Sequence, residues 1–325
     1  MLKNAILFIS SLVSIVTFAA PIVTDVVAKQ RYPWNGLVDI TCRVSGITGT
    51  VPKYRFFVEV VFPDSSTSYE AMNLKVMRNG SKSGDLSVSA NDAYHLLWDA
   101  KTDLGDVHYS NIIVRVTVIY HERIQLWKDG PYWATMNVGA KNPEDYGYYF
   151  WWGDTVGYKR QNNKWVASNG SNSNFNFSSG KTPTSGKDNL TLQGEGWITA
   201  EGVLAPEHDA AHAHWGGDWR MPTTKEFNDL IYKCDWTWTT MNGVKGYIVR
   251  GKGSYASANI FLPCAGCDDG VSLGNVELSG HYWSSVPYSS CYYACYLHLG
   301  SRDLAWTNSP RFYGLSVRPL QGVNK

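Results

Sequence analysis

Four segments in the first third of the chain alternate apolar with polar residues: LVDITCRV (37–44), YRFFVEVVF (54–62), HLLWDA (95–100) and NIIVRVTVIY (111–120). Turn-forming segments such as FPDSSTS and RNGSKSGD lie between them. A period of two residues places every second side chain on one face of a strand, so each segment predicts a β-strand with one buried face. Together they predict a β-sandwich over residues 21–122, with a spacer or adhesion role.

The composition also favours β-structure, and it excludes a strongly basic protein. The 325 residues include 29 Lys and Arg against 28 Asp and Glu, so no excess of positive charge predicts a nucleic-acid partner. Aromatic residues make up 14% of the chain and 30 residues are glycine, which favours strands and ordered loops.

The first 20 residues have the pattern of a signal peptide. Lys3 precedes an apolar stretch, and the small residues Thr17 and Ala19 fit the positions before a cleavage site. We therefore expect an exported protein, secreted or held at the cell surface, without a transmembrane span in the mature chain. An uncleaved anchor remains the alternative, because the apolar stretch continues through Ile22 and Val23.

Residues 126–323 form the second predicted domain, and local signals define one helix and one hairpin. Thr223 and Glu226 have the spacing of a capping box, and apolar residues repeat on one face, which predicts a helix over Thr224–Tyr232. Asn242-Gly243 between two alternating runs predicts a hairpin with a type I′ turn. The Asn-, Ser- and Gly-rich residues 161–189 predict an exposed loop.

Six segments of this second domain carry a family resemblance: LWKDGPYWATMNVGA, YGYYFWWGD, WGGDWRMPTTKEFNDL, FLPCAG, YWSS and YGLSVRP. In this order they resemble the FISUMP-type (Fibrobacter major paralogous) domain, over nearly all of residues 126–323. The resemblance implies a bacterial protein with an α+β, C-type-lectin-like fold, in the branch that includes formylglycine-generating enzymes and the variable proteins of diversity-generating retroelements. Together with the capped helix and the hairpin, it predicts that the helix packs on an antiparallel sheet that includes Val244–Arg250 and Leu315–Pro319, with the two ends of the domain close together. HLLWDAKTDLGDVHYSNIIVRV similarly resembles the closing hairpin of bacterial immunoglobulin-like and fibronectin-like modules.

The C-terminal stretch has the composition that such a retroelement would leave. Errors at template adenines convert Asn codons to many others, but not to those for Lys, Glu, Gln, Met or Trp. Residues 253–320 contain no Lys, Gln or Met and a single Glu, Glu277. The alternative to diversification is that these strands are poor in Lys by chance. In either case Tyr, Ser and Asn are residues typical of binding surfaces.

We therefore predict that the protein binds a protein or glycan ligand on another surface through an exposed face of this stretch, with Trp283, Leu315 and Val317 beneath it as framework. The predicted ligand-binding residues are Tyr288, Tyr292, Tyr293, Tyr296, His298, Arg302, Asp303, Trp306, Asn308, Arg311, Phe312 and Tyr313.

Metal-dependent catalysis is the first alternative. His208, His212 and His214 lie in EHDAAHAHW, and histidines four residues apart on a helix can share a metal. A short helical turn begun by Pro206, with Asp209 capping it or anchoring a loop, explains the segment equally well. We predict no metal and no cofactor.

Cysteine chemistry is the second alternative. The chain has six cysteines, but CxxC at Cys264 and Cys267 has no matching second pair for zinc. Cys291 and Cys295 have three residues between them, whereas formylglycine-generating enzymes have four, and the Arg-Gly-Gly-Ser that precedes their pair is absent here. Together with the absence of nucleotide-binding and nucleophile-elbow motifs, this predicts that the protein is not an enzyme.

Overall fold

The computed structural model describes residues 21–322 apart from Trp34, 48–53, 64–66, Met72, 79–80, 84–85, Ser89, 106–110, 162–163, 170–174 and 178–181. The chain is mainly β, with 46% of residues in strands and 12% in helices, as predicted. The predicted signal peptide lies outside the described residues. None of the helices in the described segments has the length and apolar composition needed to cross a membrane.

Among the residues that the structure describes, the first region contains nine strands and one short helix. These elements are β1 (Ile22–Gln30), β2 (Leu37–Ser45), β3 (Tyr54–Phe62), β4 (Thr67–Glu70), β5 (Leu74–Arg78), β6 (Ser81–Ser83), β7 (Ser87–Val88), β8 (Ala93–Asp99), α1 (Ala100–Leu104) and β9 (Ile113–Ile119). One sheet has the order β1-β2-β8-β5-β6. In the other, β3 pairs with β4 and β7 along one edge and with β9 along the other.

The two sheets share one hydrophobic core. Alternate residues of β3, from Tyr54 to Phe62, are buried, as the period-two pattern predicts. They pack in one cluster with Ile40 of β2 and Trp98 of β8. The indole Nε1 of Trp98 donates a 2.7 Å hydrogen bond to the buried Asp103, so the helix after β8 supplies the acceptor that a buried indole needs.

The predicted closing hairpin is wrong. Strands β8 and β9 both form, but β8 pairs with β2 and β5, whereas β9 pairs with β3 of the other sheet. The residues between them therefore cross from one sheet to the other. Alternation predicts a strand but not its partner, because either sheet buries the same apolar face.

The described part of the second region contains sixteen strands, three α-helices and two 3₁₀ turns. Its strands are β10 (Arg123–Gln125), β11 (Tyr132–Ala134), β12 (Tyr149–Phe150), β13 (Tyr158–Gln161), β14 (Lys164–Ala167), β15 (Trp219–Arg220), β16 (Asp235–Met241), β17 (Val244–Arg250), β18 (Asn259–Pro263), β19 (Cys267–Asp268), β20 (Leu273–Gly274), β21 (Ser279–Pro287), β22 (Tyr293–Gly300), β23 (Leu304–Pro310), β24 (Leu315–Ser316) and β25 (Leu320–Gln321). The helices are α2 (Asn189–Gly194), α3 (Ala210–Trp215) and α4 (Thr224–Lys233), and the turns are Pro206–His208 and Gly253–Tyr255.

The main sheet of this region has seven strands in the order β14-β13-β12-β24-β21-β22-β23. Three smaller sheets accompany it: β10-β11-β25-β15, β16-β17-β18 and β19-β20. One core cluster contains Trp152, Trp283 and Leu315, and another contains Phe227, Leu297 and Leu299.

The predicted helix and hairpin are confirmed. In α4, the Thr223 hydroxyl accepts from the Glu226 N–H, and the Glu226 carboxylate accepts from the Thr223 N–H at 2.8 Å, which completes the capping box. Strands β16 and β17 pair in full register across Asn242 (φ 46°) and Gly243 (φ 89°). Positive φ at both positions is what a type I′ turn requires.

Two details of the predicted sheet are wrong and one is confirmed. We expected Val244–Arg250 and Leu315–Pro319 in one antiparallel sheet, but β17 and β24 belong to different sheets. The strand at Leu315 ends at Ser316, and it pairs in parallel with β21 through Tyr282. The two ends of the region do meet, as predicted, because β11 pairs with both β10 and β25.

The prediction of an exposed loop over residues 161–189 is wrong in part. Residues Lys164–Ala167 form β14, and Trp165 and Phe177 are buried. Phe175 stacks on Tyr158 with ring centroids 3.5 Å apart, and Phe177 meets Trp165 edge to face. The aromatic side chains of this polar segment thus pack in a small hydrophobic cluster. The polar composition of the segment did not predict that cluster.

Candidate functional site

The predicted framework beneath the C-terminal stretch is confirmed. Trp283, Leu315 and Val317 are fully buried in one cluster. The Trp283 indole donates a 2.8 Å hydrogen bond to the carbonyl of Phe150 on β12, which lies beyond β24 in the main sheet. These residues fix the position of β21 and β24. Strand β22 pairs with β21, and β23 pairs with β22, so the same framework positions both strands.

The register of β22 and β23 separates residues that we expected on one face. Residues directly opposite in a sheet project to the same side. Tyr296 pairs with Thr307 and His298 with Ala305, whereas Trp306 pairs with the buried Leu297. Trp306 therefore projects to the opposite side of the sheet from Tyr296 and His298. Asn308, paired with Cys295, projects to the same side as Trp306.

The side of the sheet that carries Tyr296 and His298 is largely covered. Tyr296 packs against the Trp283 cluster, and burial raises the pKa of its phenol to about 12. The ring of His281 lies parallel to it at 5.4 Å. His298 Nε2 lies 3.1 Å from a carboxylate oxygen of the exposed Asp303. These half-buried rings support the sheet and offer little free surface.

Arg311 contradicts the prediction of an exposed binding residue, because it is 1% exposed. Its Nε donates to the carbonyl of Tyr293, and one terminal nitrogen donates to the carbonyls of Thr184 and Lys187 at 2.8 and 2.9 Å. Its guanidinium lies over the ring of Trp152 at 4.9 Å. Burial lowers the pKa of Arg311 to about 10. This side chain joins the loop at residues 182–188 to β22 and is structural.

The end of the β21–β22 hairpin carries the most exposed of the predicted tyrosines. Tyr288, Tyr292 and Tyr293 are 37%, 56% and 36% exposed. The backbone is tied there, since Tyr288 N–H donates to the Tyr293 carbonyl and Arg311 N–H donates to that of Tyr292. The aromatic surface is therefore presented on ordered backbone.

The loop at 182–188 extends this surface, and sequence reasoning missed it. Gly186 has a φ of +75° and lies against the ring of Tyr292. A Cβ atom added at Gly186 would stand 3.7 Å from Cε1 of that ring. Next to it, the Lys187 ammonium pairs with Glu195 and lies 5.3 Å from the ring of Trp197. No local pattern marks these residues, since Arg311, more than 120 positions away, brings the loop to the hairpin. We call Tyr288, Tyr292, Tyr293, Lys187 and Trp197 the hairpin-end surface.

The remaining predicted residues lie elsewhere. Arg302 and Asp303 are exposed in the turn between β22 and β23, at the other end of β22 from Tyr292 and Tyr293. Phe312 and Tyr313 are half-buried and meet edge to face at 5.0 Å. The structure thus places three of the twelve predicted residues, all exposed tyrosines, at one end of the β21–β22 hairpin.

The three histidines do not share a helix face. His208 ends a 3₁₀ turn and stacks on Trp197 at 3.9 Å. Helix α3 begins only after Asp209, whose side chain accepts from the N–H groups of Ala211, His212 and Met221, so it both caps the helix and anchors a loop. His214 is buried. Within the described ranges, no three His, Cys, Asp or Glu side chains are grouped as a metal site.

The cysteine side chains do not form a reactive pair. All six thiols are free, and Cys264, Cys267 and Cys295 are buried. Burial raises the pKa of Cys295 to about 11, so this thiol stays protonated at neutral pH and is a poor nucleophile. Cys291 lies in the turn before β22.

Comparisons with known proteins identified no relative: no protein-family model, no curated protein and no solved structure matches the chain. The function is therefore argued from the geometry of the hairpin-end surface.

Proposed function

We propose that this chain is an exported bacterial binding protein that recognises a protein or glycan on another surface. The observation that carries the proposal is the hairpin-end surface, where three exposed tyrosines lie on backbone held by the buried Arg311. Exposed aromatic groups are unfavourable in water, and their clustering on an ordered support marks an interaction site.

The chemistry of the surface suits recognition of varied ligands. Tyr presents a large amphipathic ring and loses little entropy on binding, because it has only two side-chain torsions. The ring of Tyr292 lies against Gly186, and the next residue, Lys187, adds a cation 5.3 Å from the aromatic ring of Trp197. Such a surface can bind by shape and aromatic contact, with hydroxyl groups supplying hydrogen bonds at its rim.

We further propose that residues 21–122 are an immunoglobulin- or fibronectin-like β-sandwich and residues 126–323 a C-type-lectin-like, FISUMP-type domain. Two sheets around one core support the first assignment. The second is supported by the capped helix α4, the paired ends of the region and the long ordered loops. In the WRMPTTKEF block, Arg220 pairs with Glu226 through both terminal nitrogens and links β15 to α4.

Retroelement diversification of the C-terminal stretch is part of the same proposal. It predicts that the DNA beside the gene encodes a reverse transcriptase and a near-copy of the final codons, differing mainly at adenines. Tyr288, Tyr292 and Tyr293 should fall at variable codons, and the buried Trp283 and Leu315 at constant ones. A locus without a reverse transcriptase or a template copy removes diversification from the proposal and leaves binding to be tested separately.

Binding is tested with labelled mature protein and a panel of bacterial and host cells, read by flow cytometry. We expect the wild type to stain at least one cell type, and the Tyr288→Ser, Tyr292→Ser, Tyr293→Ser triple variant to lose at least nine-tenths of that signal. Tyr232→Ser is the matched control, because Tyr232 is 73% exposed on α4 outside the hairpin-end surface. Equal staining by the triple variant and the control would contradict the proposal.

A further inference from the structure

Strand β23 (Leu304–Pro310) ends the main sheet, so one of its two edges faces no neighbouring strand of that sheet. Natural proteins block such edges with charged side chains, proline or bulges, because an open edge pairs readily with another chain. The seven residues of β23 include no charged side chain, and their pairing with β22 runs without a register shift. Pro310 stands only at the end of the strand, so the edge before it is open.

The hydrogen bonds at both ends of β23 show which of its backbone groups point outward. In an antiparallel pair, residues that bond to the neighbouring strand alternate with residues that do not. Gly300 N–H donates to the Asp303 carbonyl before the strand, and Arg311 N–H donates to the Tyr292 carbonyl after it. The residues between them that bond to β22 are therefore Ala305, Thr307 and Ser309. The residues whose N–H and C=O groups point outward, without a hydrogen bond to any described residue, are Leu304, Trp306 and Asn308.

An exposed indole stands in the middle of this edge. Trp306 is 43% exposed, and it projects to the same side of the sheet as its partner Leu297. On that side Phe227 of α4 packs in one cluster with Leu297, and Leu304 packs against the same cluster. The strand is thus held from below at its start, while the Trp306 ring remains open to solvent beside unpaired backbone groups. Exposed aromatic surface of this kind marks an interaction site.

We propose that β23 pairs with β23 of a second copy of this chain, antiparallel and about a two-fold axis at Trp306. In this register Trp306 stands opposite Trp306 of the second copy, and Leu304 stands opposite Asn308. Every outward N–H and C=O group of these three residues then has a partner, because opposite residues that face each other exchange both hydrogen bonds. The two indoles lie on the same side of one continuous sheet, as a cross-strand aromatic pair.

The distribution of charge favours a second copy as the occupant of this edge. Like charges directly opposite each other destabilise a strand pair, and two copies of β23 bring none together. The charged residues before the strand, Arg302 and Asp303, stand opposite Pro310 and Ser309 of the second copy. The whole chain has 29 Lys and Arg against 28 Asp and Glu, so two copies do not repel each other strongly. Pairing about a two-fold axis also closes the assembly at two chains.

The test is sedimentation equilibrium of the whole mature protein, which we expect to be a dimer with a Kd of about 10 µM or tighter. Trp306→Lys places two ammonium groups opposite each other at the axis and should weaken the dimer at least about tenfold. Asn308→Pro removes an outward N–H from each copy and leaves the bonds to β22 in place, and should also weaken it. Ile113→Lys is the charge-matched control, because Ile113 is 47% exposed on β9 of the first region, and should dimerise like the wild type.

Far-UV circular dichroism separates loss of the dimer from loss of the fold, and if Trp306→Lys unfolds the protein, Asn308→Pro decides the outcome. The proposal is overturned if the wild type is a monomer at about 100 µM, even where β23 then binds a peptide of another protein. It is equally overturned if both edge variants dimerise as tightly as the wild type, since the interface would then lie elsewhere. Dimerisation is measured without ligand, so it does not rest on the proposed binding function and can fail separately from cell staining.

Discussion

At the scale of single residues, two buried polar side chains differ in how far their burial is compensated. Arg311 makes three hydrogen bonds to backbone carbonyls, and among the described residues its second terminal nitrogen has no partner, so much but not all of its desolvation is compensated. His121 has no hydrogen-bond partner within the described segments, so its burial is not compensated. Uncompensated polar groups cost stability. Arg311 therefore positions the hairpin-end surface, whereas His121 lowers the stability of the fold.

Replacing Arg311 with Met should lower the free energy of unfolding by about 3 kcal/mol, because carbonyls of Thr184, Lys187 and Tyr293 lose their donor. Urea denaturation followed by tryptophan fluorescence measures the change. Arg302→Met is the matched control, since Arg302 is exposed, and should stay within about 0.5 kcal/mol of the wild type. A similar loss in both variants would show that Arg311 is not buried in solution.

His121 should make the protein acid-sensitive. Burial, aided by the charge of Arg55, lowers its pKa from 6.5 to about 3. As the pH falls from 6.5 towards 3, His121 binds a proton in the unfolded chain but not in the folded one. The free energy of unfolding therefore falls by up to about 1.4 kcal/mol per pH unit. His281, with its pKa lowered to about 4, acts in the same direction.

The measurement is the free energy of unfolding at pH 7 and at pH 4.5 for the wild type and for His121→Phe. We expect a markedly smaller loss in the variant, because the histidine with the most strongly lowered pKa is gone. If the two proteins lose stability equally between these pH values, His121 is solvated and titrates normally.

At the scale of elements, α4 shows how local signals position a helix. Glu226 completes the capping box and also pairs with Arg220, which fixes the helix start against β15. Phe227 and Leu230 then face the core. The Arg220 guanidinium and the Thr223 N–H help to hold the pKa of the Glu226 carboxyl below its usual value despite burial.

Thr223→Ala should lower the free energy of unfolding by about 1 kcal/mol, the usual cost of losing a helix N-cap. Thr223→Ser keeps the accepting hydroxyl and should cost much less. Both are measured by chemical denaturation. An alanine variant as stable as the serine variant would mean that the Glu226 pairings alone hold the helix start.

These elements also show what the sequence can predict. The Thr223 cap and the Asn242-Gly243 turn depend on neighbouring residues, and both are found as predicted. The partner of β9, the burial of Arg311 and the hydrogen bond from Arg311 to the Lys187 carbonyl depend on residues distant in the chain. Leu297 and Leu299 alternate with Tyr296 and His298, which is a local signal, but the β22–β23 register, which places Trp306 on the opposite side of the sheet from Tyr296, is a tertiary property.

At the scale of the whole molecule, strand β4 joins the two regions. The Glu70 N–H donates to the Ser168 carbonyl at 2.9 Å, and the Tyr148 hydroxyl donates to the Glu70 carboxylate. The stacked pair of His121 and Trp215 lies at the same junction. The contacts are polar and aromatic, and Glu70, His121 and Trp215 border a cavity of about 550 Å³.

Glu70→Ala should lower the free energy of unfolding by about 1–3 kcal/mol, because the buried Tyr148 hydroxyl loses its acceptor. Glu122→Ala, at an exposed carboxylate near the same junction, should change it by less than about 0.5 kcal/mol. Both are followed by scanning calorimetry. Equal behaviour of the two variants would show that the regions do not meet through Glu70.

The central claim is that Tyr288, Tyr292 and Tyr293 form a binding surface on a framework that does not need them. The most direct measurement is a surface-display library in which each residue from 279 to 318 is replaced by all others, with folded display scored by sequencing. We predict that these three positions tolerate nearly every residue, whereas Trp283, Arg311 and Leu315 tolerate few, because only the latter are buried. Intolerance at Tyr288, Tyr292 and Tyr293 equal to that at Trp283 would contradict the account, since the tyrosines would then be part of the core.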